Sequence, residues 1–504
     1  MRVGKWWCRD GVVGRRRGVV LSALACVLGL VPASPARAIE ELTLRLPLLD
    51  LSISARVSEL QSAQALREGD SDLAQLSRAF GGRYVAQLEE LLQTPLPLQQ
   101  DADNPMTRQT ILLLRSLVDL DAAEPGLLAV DPVQTALGRV QAARQPLTLI
   151  NLLQALPGRH VTIRLERALP YLRRLQRQEG EADTLIAGRS PLPAAPASLL
   201  APGPLPLVTE ERQLPDTAGQ EPLQVTVVRP AGDARLPTVV ISHGLWDAPE
   251  SFLGWARHLA SHGATVLLPR HRGSDISQQA EMLAGDAPPP PPDEFLRRPR
   301  EVSQVLDALG AGQLGLPAAT PTRDVVFMGH SWGGTTALQL AGARSIANPL
   351  WQACGRTDAP QRNISWVLQC SFLPAAIPDS LADPRIARVV AVSPPQGLVF
   401  AGGLDQLKVP VLLVSGTRDL VVPPHPEALS PFPAYGGQGH RLVLVQGGTH
   451  FNLPATAATP GGPLRALLLR WLQGQPVEPG VPLGDPAGLP LHVVPVTGNG
   501  SKSS

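Results

Sequence analysis

The stretch VVFMGHSWGG at residues 325–334 is the part of the sequence that indicates the fold of this chain most clearly. Four apolar residues run into a G-x-S-x-G pattern centred on Ser331, and a helical pattern follows over 335–343. A strand, a sharp turn at a serine and a helix, in this order, are typical of a nucleophile elbow at the edge of a parallel sheet. The glycines fit, because backbone and helix approach closely at such a strained turn. We therefore predict that Ser331 is a nucleophile rather than part of a chance glycine-rich turn.

The pattern around this stretch predicts the sheet that carries it. From Leu223 onward, short β-branched runs alternate with helical segments, and a last amphipathic helix is predicted near 464–472. Apolar strands that alternate with helices predict a parallel sheet covered on both faces. We predict an α/β fold with a doubly wound, mostly parallel sheet over residues 223–474. The predicted strands are 225–228, 238–242, 264–268, 325–328, 389–392, 411–414 and 442–445.

A serine nucleophile needs a base and an acid, and the chain offers both in a suitable order. In this kind of fold the acid and then the histidine follow the serine along the chain. Asp419 and His450 each lie just beyond a predicted strand, where α/β sheets place their ligand sites. Asp383 and Asp405 are rival acids, but neither follows a strand end in the right segment. We predict a catalytic triad of Ser331, His450 and Asp419, with turn-capping and surface roles as the alternatives for the last two.

The loop HGLW at residues 243–246 follows a predicted strand and is the second candidate for the chemistry. A tetrahedral intermediate needs hydrogen-bond donors for its oxyanion. One is expected from the amide of Trp332, the residue after the nucleophile, and the other from the amide of Leu245. Trp246 is predicted to contact the substrate. The alternatives are a plain turn at the loop and core packing for the tryptophans.

Neither a cofactor nor a metal is predicted. The sequence GAGQLG at 310–315 matches G-x-G-x-x-G, but it follows a helical pattern, and Pro317 prevents a helix after it. His258 and His262 could share one face of a helix, but a third ligand is not evident.

The first 38 residues predict a secretory signal. A basic start precedes an apolar stretch at 18–31, and PARA at 35–38 supplies an A-x-A cleavage site; an uncleaved anchor is the alternative. This segment holds seven Lys/Arg and one Asp, so its removal changes the formal net charge from +1 to −5. An acidic chain without basic clusters is a poor candidate for nucleic-acid binding. We expect a periplasmic or extracellular protein without a stable membrane span.

Two cysteines, Cys354 and Cys370, lie beyond the predicted signal. An even number of cysteines in an exported chain favours a disulfide between them, with two separate thiols as the alternative. Both lie in residues 345–384, between the helix after Ser331 and the next strand. We predict that this segment is a cap insertion that forms part of the substrate entrance and is held by the disulfide.

The remaining regions are predicted from periodicity and composition. Apolar residues recur at helical spacing around 57–60, 84–92 and 111–120, and the pairs at 104–105 and 131–132 each place an N-cap residue before proline. Residues 39–180 are therefore predicted to form a small all-helical domain. A linker rich in Pro and Ala is predicted at 181–222, and a flexible tail at 475–504.

Several motifs lie around the elbow in the predicted catalytic part: SHG at 242–244, LASHG at 259–263, GSD at 273–275 and GTRD at 416–419. Through them and the elbow, residues 223–474 resemble the α/β-hydrolase superfamily, and especially its dienelactone-hydrolase-like and platelet-activating-factor-acetylhydrolase-like branch. Dienelactone hydrolases use a cysteine nucleophile, whereas position 331 is serine, so the resemblance implies ordinary ester hydrolysis. Through LLDLSIS at 48–54 and LQALPG at 153–158, residues 39–180 resemble a helical domain of unknown function that accompanies such bacterial hydrolases.

Together these features predict an exported serine hydrolase that cleaves carboxylic esters through an acyl-enzyme. The expected partner is a small-molecule or lipid ester. A thioesterase, an acyltransferase or a peptidase with the same triad is an alternative, because one fold supports many chemistries. A non-catalytic binding protein is a further alternative.

Overall fold

The computed structural model describes most of the chain. The predicted signal and the predicted helix at 84–92 lie outside the described residues. Among the described helices, none combines the length and the apolar character needed to cross a membrane. The described residues are 39–46, 51–79, 104–117, 119–122, 132–156, 158, 160–164, 168–215, 222–357, 359–375, 380–459 and 461–494.

The N-terminal part contains a four-stranded mixed sheet, so the prediction of an all-helical domain is wrong. The strands have the order β2-β1-β4-β3, and β1 pairs antiparallel with β2 and parallel with β4. Apolar and polar residues alternate in ELTLRL at 41–46, which is the two-residue period of a strand. Short strands of this kind escape a search for helical spacing. The strands are β1 Glu41–Leu46, β2 Leu51–Arg56, β3 Asp119–Ala122 and β4 His160–Arg164.

Six helices belong to the N-terminal part in the described residues, and the last of them forms an apolar cluster with Leu444 through Ala182 and Ile186. The helix that starts at Pro105 begins as predicted, because Asn104 Oδ1 accepts the amides of Met106 at 2.9 Å and Thr107 at 3.3 Å. The helices are α1 Ala63–Glu68, α2 Asp72–Ala79, α3 Pro105–Leu117, α4 Pro132–Ala142, α5 Leu149–Ala155 and α6 Ala168–Ile186.

A nine-stranded, mostly parallel sheet forms the centre of the rest of the chain. Its strands are β5 Leu207–Leu214, β6 Leu223–Pro230, β7 Val239–Ser242, β8 Val266–Pro269, β9 Val325–His330, β10 Ile386–Val392, β11 Val411–Gly416, β12 Arg441–Val445 and β13 Leu491–Val494. Their order is β13-β12-β11-β10-β9-β7-β8-β6-β5. The neighbours from β8 to β12 are parallel, whereas β5, β6 and β13 pair antiparallel.

Helices cover both faces of this sheet, which confirms the doubly wound α/β prediction. Along β9, Val325 and Phe327 pack into one apolar core while Val326 and Met328 pack into the other, because successive side chains of a strand point to opposite faces. The helices are α7 Ala197–Leu200, α8 Leu253–Ser261, α9 Ile276–Ala284, α10 Glu294–Gly310, α11 Trp332–Ala341, α12 Ala347–Gly355, α13 Ile364–Cys370 and α14 Arg465–Leu472.

The sheet extends beyond the predicted catalytic domain at both ends. Strand β5 lies within the predicted linker 181–222, and β13 lies within the predicted tail 475–504. Along β5, exposed and half-buried residues alternate, as in an edge strand with one solvated face. The Pro-rich composition around both strands favoured a linker and a tail instead.

The segment 345–384 carries α12 and α13 and the predicted disulfide. Cys354 and Cys370 are bonded, with their Cα atoms 5.6 Å apart, which confirms that prediction. Helix α3 of the N-terminal part docks against this segment. Gln109 Nε2 donates to the carbonyl of Cys354 at 3.1 Å, and the buried Arg362 donates to Gln109 Oε1. Met106 and Leu113 of α3 join the larger apolar core.

Candidate active site

Ser331 lies at a strained turn between β9 and α11. Its backbone has φ 54° and ψ −122°, outside the regions that most residues adopt. The turn is closely packed: a Cβ at Gly329 would collide with the carbonyl of Gly333, and a Cβ at Gly333 with the carbonyl of Ser242. Glycine is therefore required on both sides of the serine. Backbone strain of this kind clusters at functional sites.

Asp419 and His450 form a hydrogen-bonded pair beyond the ends of β11 and β12. The distance between His450 Nδ1 and Asp419 Oδ2 is 2.9 Å, and the carboxylate has no proton to offer, so we assign Nδ1 as the donor. Asp419 Oδ1 accepts the amides of Val421 at 3.0 Å and Val422 at 2.7 Å. The carboxylate is thus fixed on both oxygens, and the Nε2 atom of the imidazole is left as the proton acceptor.

His330 links the serine to this pair. Its ring centroid lies 4.6 Å from that of His450, and Ser331 is the next residue along the chain. Burial lowers the pKa of His330 well below its ordinary value, so its ring stays neutral. The turn after β9 and the segments that follow β11 and β12 therefore meet at one edge of the sheet.

The rival acids lie elsewhere. Asp383 binds Arg385 at 2.6 Å just before β10 begins, at the opposite edge of the sheet. Asp405 lies in an exposed turn. In the structure, neither carboxylate forms a hydrogen bond with His450.

The loop at 243–246, which follows β7, approaches Ser331 closely. A Cβ at Gly244 would lie 3.1 Å from the Cβ of Ser331. The amide of Trp246 donates to the carbonyl of Ser274 at 2.7 Å. The amides of Leu245 and Trp332 have no acceptor among the described residues. These two N–H groups remain available to a ligand.

The two tryptophans near the site are held differently. Trp246 is half-buried, and its Nε1 donates to Gln278 Oε1 at 2.9 Å. The ring of Trp332 is buried against Phe372, with 4.7 Å between the ring centroids. Core packing accounts for Trp332, whereas substrate contact by Trp246 stays a prediction.

A second Ser-His-carboxylate arrangement lies behind the loop and was not predicted. Ser242 Oγ lies 2.8 Å from His271 Nε2, and His271 Nδ1 lies 2.6 Å from Glu301 Oε2. Ser242 and His271 are completely buried. We call these three residues the buried Ser-His-Glu set. Their separation along the chain and their ordinary sequence contexts offered no signal.

Arg298 of α10 was also missed. Its guanidinium donates to the carbonyls of His243 at 2.6 Å and Gly244 at 3.1 Å, and to Ser274 Oγ at 2.8 Å. Glu294, one helical turn earlier, accepts from Ser274 Oγ and lies 3.7 Å from Arg298 Nε. Burial lowers the pKa of Arg298 and raises that of Glu294. The only sequence signal was a Glu-Arg pair at i, i+4, which is common on exposed helices.

Within the described part of the chain, no group of three or more His, Cys, Asp or Glu side chains could hold a metal ion. His258 lies in the last turn of α8 and His262 directly follows that helix, with their ring centroids 4.9 Å apart.

Residues 239–460 match the alpha/beta hydrolase family. The match spans the elbow, the 243–246 loop and the Asp419–His450 pair, and it suggests a hydrolytic enzyme. No curated protein shows a significant match to the chain.

Proposed function

We propose that this protein is an exported serine hydrolase that cleaves carboxylic esters, with Ser331 as nucleophile, His450 as general base and Asp419 as its orienting acid. One observation carries the proposal: the strained turn at Ser331 and the hydrogen-bonded Asp419–His450 pair lie at the same edge of the sheet. Parallel α/β sheets bind their ligands at this edge.

In the proposed reaction, Ser331 Oγ attacks the acyl carbon while His450 Nε2 takes its proton. The carbonyl π bond gives way to a tetrahedral oxyanion, and its collapse breaks the bond to the alcohol, which leaves with the proton from His450. Water then attacks the acyl-enzyme by the same route and releases the acid. Asp419 holds the imidazole tautomer and stabilises the imidazolium.

The free amides of Leu245 and Trp332 support an oxyanion hole at this site. Both lie on backbone that is fixed before a substrate arrives, so they can stabilise the developing charge without reorganisation. An oxyanion-hole donor contributes roughly 10²–10³ to kcat in serine hydrolases.

An apolar acyl or lipid ester is the substrate class that we propose. Leu420 and Phe451, which directly follow the acid and the base of the proposed triad, are 49% and 81% exposed. Apolar side chains exposed this close to a reacting centre favour an apolar ligand. The resemblance to the dienelactone-hydrolase-like and acetylhydrolase-like branch agrees with this choice.

The proposed export rests on residues 1–38, and the disulfide is compatible with an oxidising compartment. We propose that the segment 345–384 is a cap at the substrate entrance. The chain divides accordingly into a signal, an N-terminal domain and a catalytic domain, to which β5 and β13 add strands.

A fluorophosphonate probe followed by peptide mapping tests the proposal. We expect wild-type labelling at Ser331 and none in Ser331→Ala. A panel of p-nitrophenyl esters of increasing acyl length, beside thioester and peptide substrates, then separates the classes. Labelling with turnover of thioesters or peptides alone supports one of the alternatives, and absence of labelling at residue 331 in folded wild type supports a binding protein.

The same ester panel tests the cap. Cys354→Ala, compared with wild type, should change the preference for acyl length, because the α12–α13 segment loses its crosslink. An unchanged preference across the panel contradicts the cap assignment.

A further inference from the structure

We propose that Arg298 is a positioning residue that assembles the oxyanion hole: its guanidinium orients the peptide groups of the 243–246 loop so that the amide of Leu245 faces the reacting centre, and it packs on Trp332, which carries the second amide. This inference rests on the proposed function.

The first support is the way Arg298 binds the loop. Its Nη1 donates to the carbonyl of His243 at 2.6 Å and its Nη2 to the carbonyl of Gly244 at 3.1 Å. A guanidinium presents its donors in a rigid planar fork, so two consecutive carbonyls held this way cannot rotate independently. Arg298 therefore binds both peptide groups at once, and His243 Nδ1, 2.8 Å from the carbonyl of Gly244, adds a second contact to one of them.

The second support comes from peptide geometry. The carbonyl of Gly244 and the amide of Leu245 belong to the same planar peptide group, in which they point in opposite directions when the bond is trans. With the carbonyl on Arg298, the amide of Leu245 must point away from Arg298. The next amide, that of Trp246, is already used by the carbonyl of Ser274. Leu245 is thus the donor that this loop can offer.

The third support is that Arg298 also contacts the other half of the proposed hole. Its guanidinium carbon lies 5.5 Å from the centroid of the Trp332 ring, within the range of a cation–π interaction. Trp332 begins α11 directly after Ser331. One side chain therefore contacts both elements that carry the two free amides.

The environment makes these contacts rigid. Arg298 is 1% exposed, and Ser274 and Glu294 are fully buried beside it. Charge-assisted hydrogen bonds are short and strong in such a water-free setting. Ser274 adds a further connection, because its hydroxyl accepts from Arg298 and its carbonyl accepts the amide of Trp246.

Arg298→Lys and Arg298→Met test the proposal, since lysine keeps the charge but loses the planar fork. With a p-nitrophenyl ester, we expect kcat to fall roughly 10-fold in Arg298→Lys and roughly 10²-fold in Arg298→Met, with KM changed by less than about threefold. The affinity for an alkyl boronic acid, whose adduct with Ser331 places a hydroxyl in the oxyanion position, should fall in parallel. Binding of the matching alkyl alcohol, which forms no oxyanion, should not change.

Arg385→Met is the matched control. Arg385 also binds a carboxylate and a backbone carbonyl, of Asp383 and Ser303, but at the opposite edge of the sheet. We expect it to keep wild-type kcat and boronate affinity. Circular dichroism confirms that each variant is folded, and Glu294→Gln combined with Arg298→Met removes both buried charges if the single variant unfolds.

The outcomes separate the two proposals. Wild-type kcat and boronate affinity in a folded Arg298→Met, or in the double variant, overturn the positioning role while the triad stands. Equal losses of boronate and alcohol binding point to a merely structural role and overturn it as well. A wild-type protein that neither reacts with the fluorophosphonate probe nor hydrolyses esters instead contradicts the proposed function.

Discussion

Two Ser-His-carboxylate arrangements lie beside the nine-stranded sheet, and they differ both in hydrogen bonding and in backbone setting. In the buried Ser-His-Glu set, the hydroxyl, imidazole and carboxylate are joined at 2.8 Å and 2.6 Å. In the proposed triad, the imidazole and carboxylate are joined at 2.9 Å. The buried set has the more complete chain of hydrogen bonds, yet its serine and histidine are both 0% exposed.

Under the proposed function, a complete chain of hydrogen bonds is not sufficient for catalysis. Ser242 lies on ordinary strand backbone at the end of β7, whereas Ser331 lies on a strained turn beside two unoccupied amides. Ser331 and His450 are 4% and 6% exposed, next to the 81% exposed Phe451. A nucleophile must be accessible to its substrate, and Ser242 and His271 are completely buried.

The largest expected effect comes from exchanging the two serines for alanine. Ser331→Ala should lower kcat by roughly 10⁵-fold or more, while its free energy of unfolding changes by less than about 0.5 kcal/mol. Ser242→Ala should do the reverse: it leaves His271 Nε2 buried and unpaired, which costs about 1–3 kcal/mol of stability, and lowers kcat only several-fold. Ester turnover and urea denaturation measure the two effects. Comparable losses of kcat in the two variants would contradict the claim that Ser331 alone is the nucleophile.

Substitution of the carboxylates should follow the same pattern: the loss of kcat should be larger at Asp419 than at Glu301. Asp419→Asn should lower kcat by roughly 10⁴-fold, because an amide no longer holds the tautomer in which Nε2 of His450 accepts a proton. Glu301→Gln alters the equivalent contact of His271 and should lower kcat less than about tenfold. Steady-state kinetics of both variants, with stability measured alongside, provide the check. A larger loss of kcat in Glu301→Gln than in Asp419→Asn would contradict the proposed triad.

The smallest effect concerns pH. Burial, with Arg298 nearby, lowers the pKa of His271 well below its ordinary value. Below about pH 6.5 the unfolded chain therefore binds a proton that the folded protein does not, so stability is complete above that pH and is lost as the pH falls. Such an imidazole contributes about 1.4 kcal/mol per pH unit to this loss.

Urea denaturation at about pH 7.5 and about pH 5.5 measures the loss. In His271→Gln, the free energy of unfolding should change less steeply with pH than in wild type, by a slope that corresponds to up to about one proton. Identical profiles would mean that the buried imidazole titrates in the folded protein like a free one.

The sequence was sufficient to predict the seven strands from β6 to β12, the two covered faces of the sheet and the Cys354–Cys370 bond, but not β5 or β13. These features depend on local patterns: apolar runs, glycines at the elbow, and a count of cysteines. The meeting of the turn at Ser331 with the Asp419–His450 pair also follows from local rules, because parallel strands end at one edge.

The features that escaped prediction are non-local. The buried Ser-His-Glu set joins residues that are 29 and 30 positions apart, and Arg298 reaches back 55 residues to the loop. No periodicity marks such contacts, because the local sequence around an arginine does not reveal whether its side chain is buried or exposed. The small N-terminal sheet was missed for a different reason: the prediction followed the helical spacing of the neighbouring segments, whereas the alternation in ELTLRL at 41–46 has a two-residue period.

Helix α3 has a consequence for the order in which the molecule can be completed. Its Gln109 meets Cys354 and Arg362, which follow 245 and 253 residues later along the chain. During synthesis, the contact of Gln109 with this segment can therefore form only after more than two hundred further residues have been added. A contact closed this late makes assembly slow and exposes apolar surface to self-association in the interval. The N-terminal part is thus the first to be made and among the last to reach its final packing.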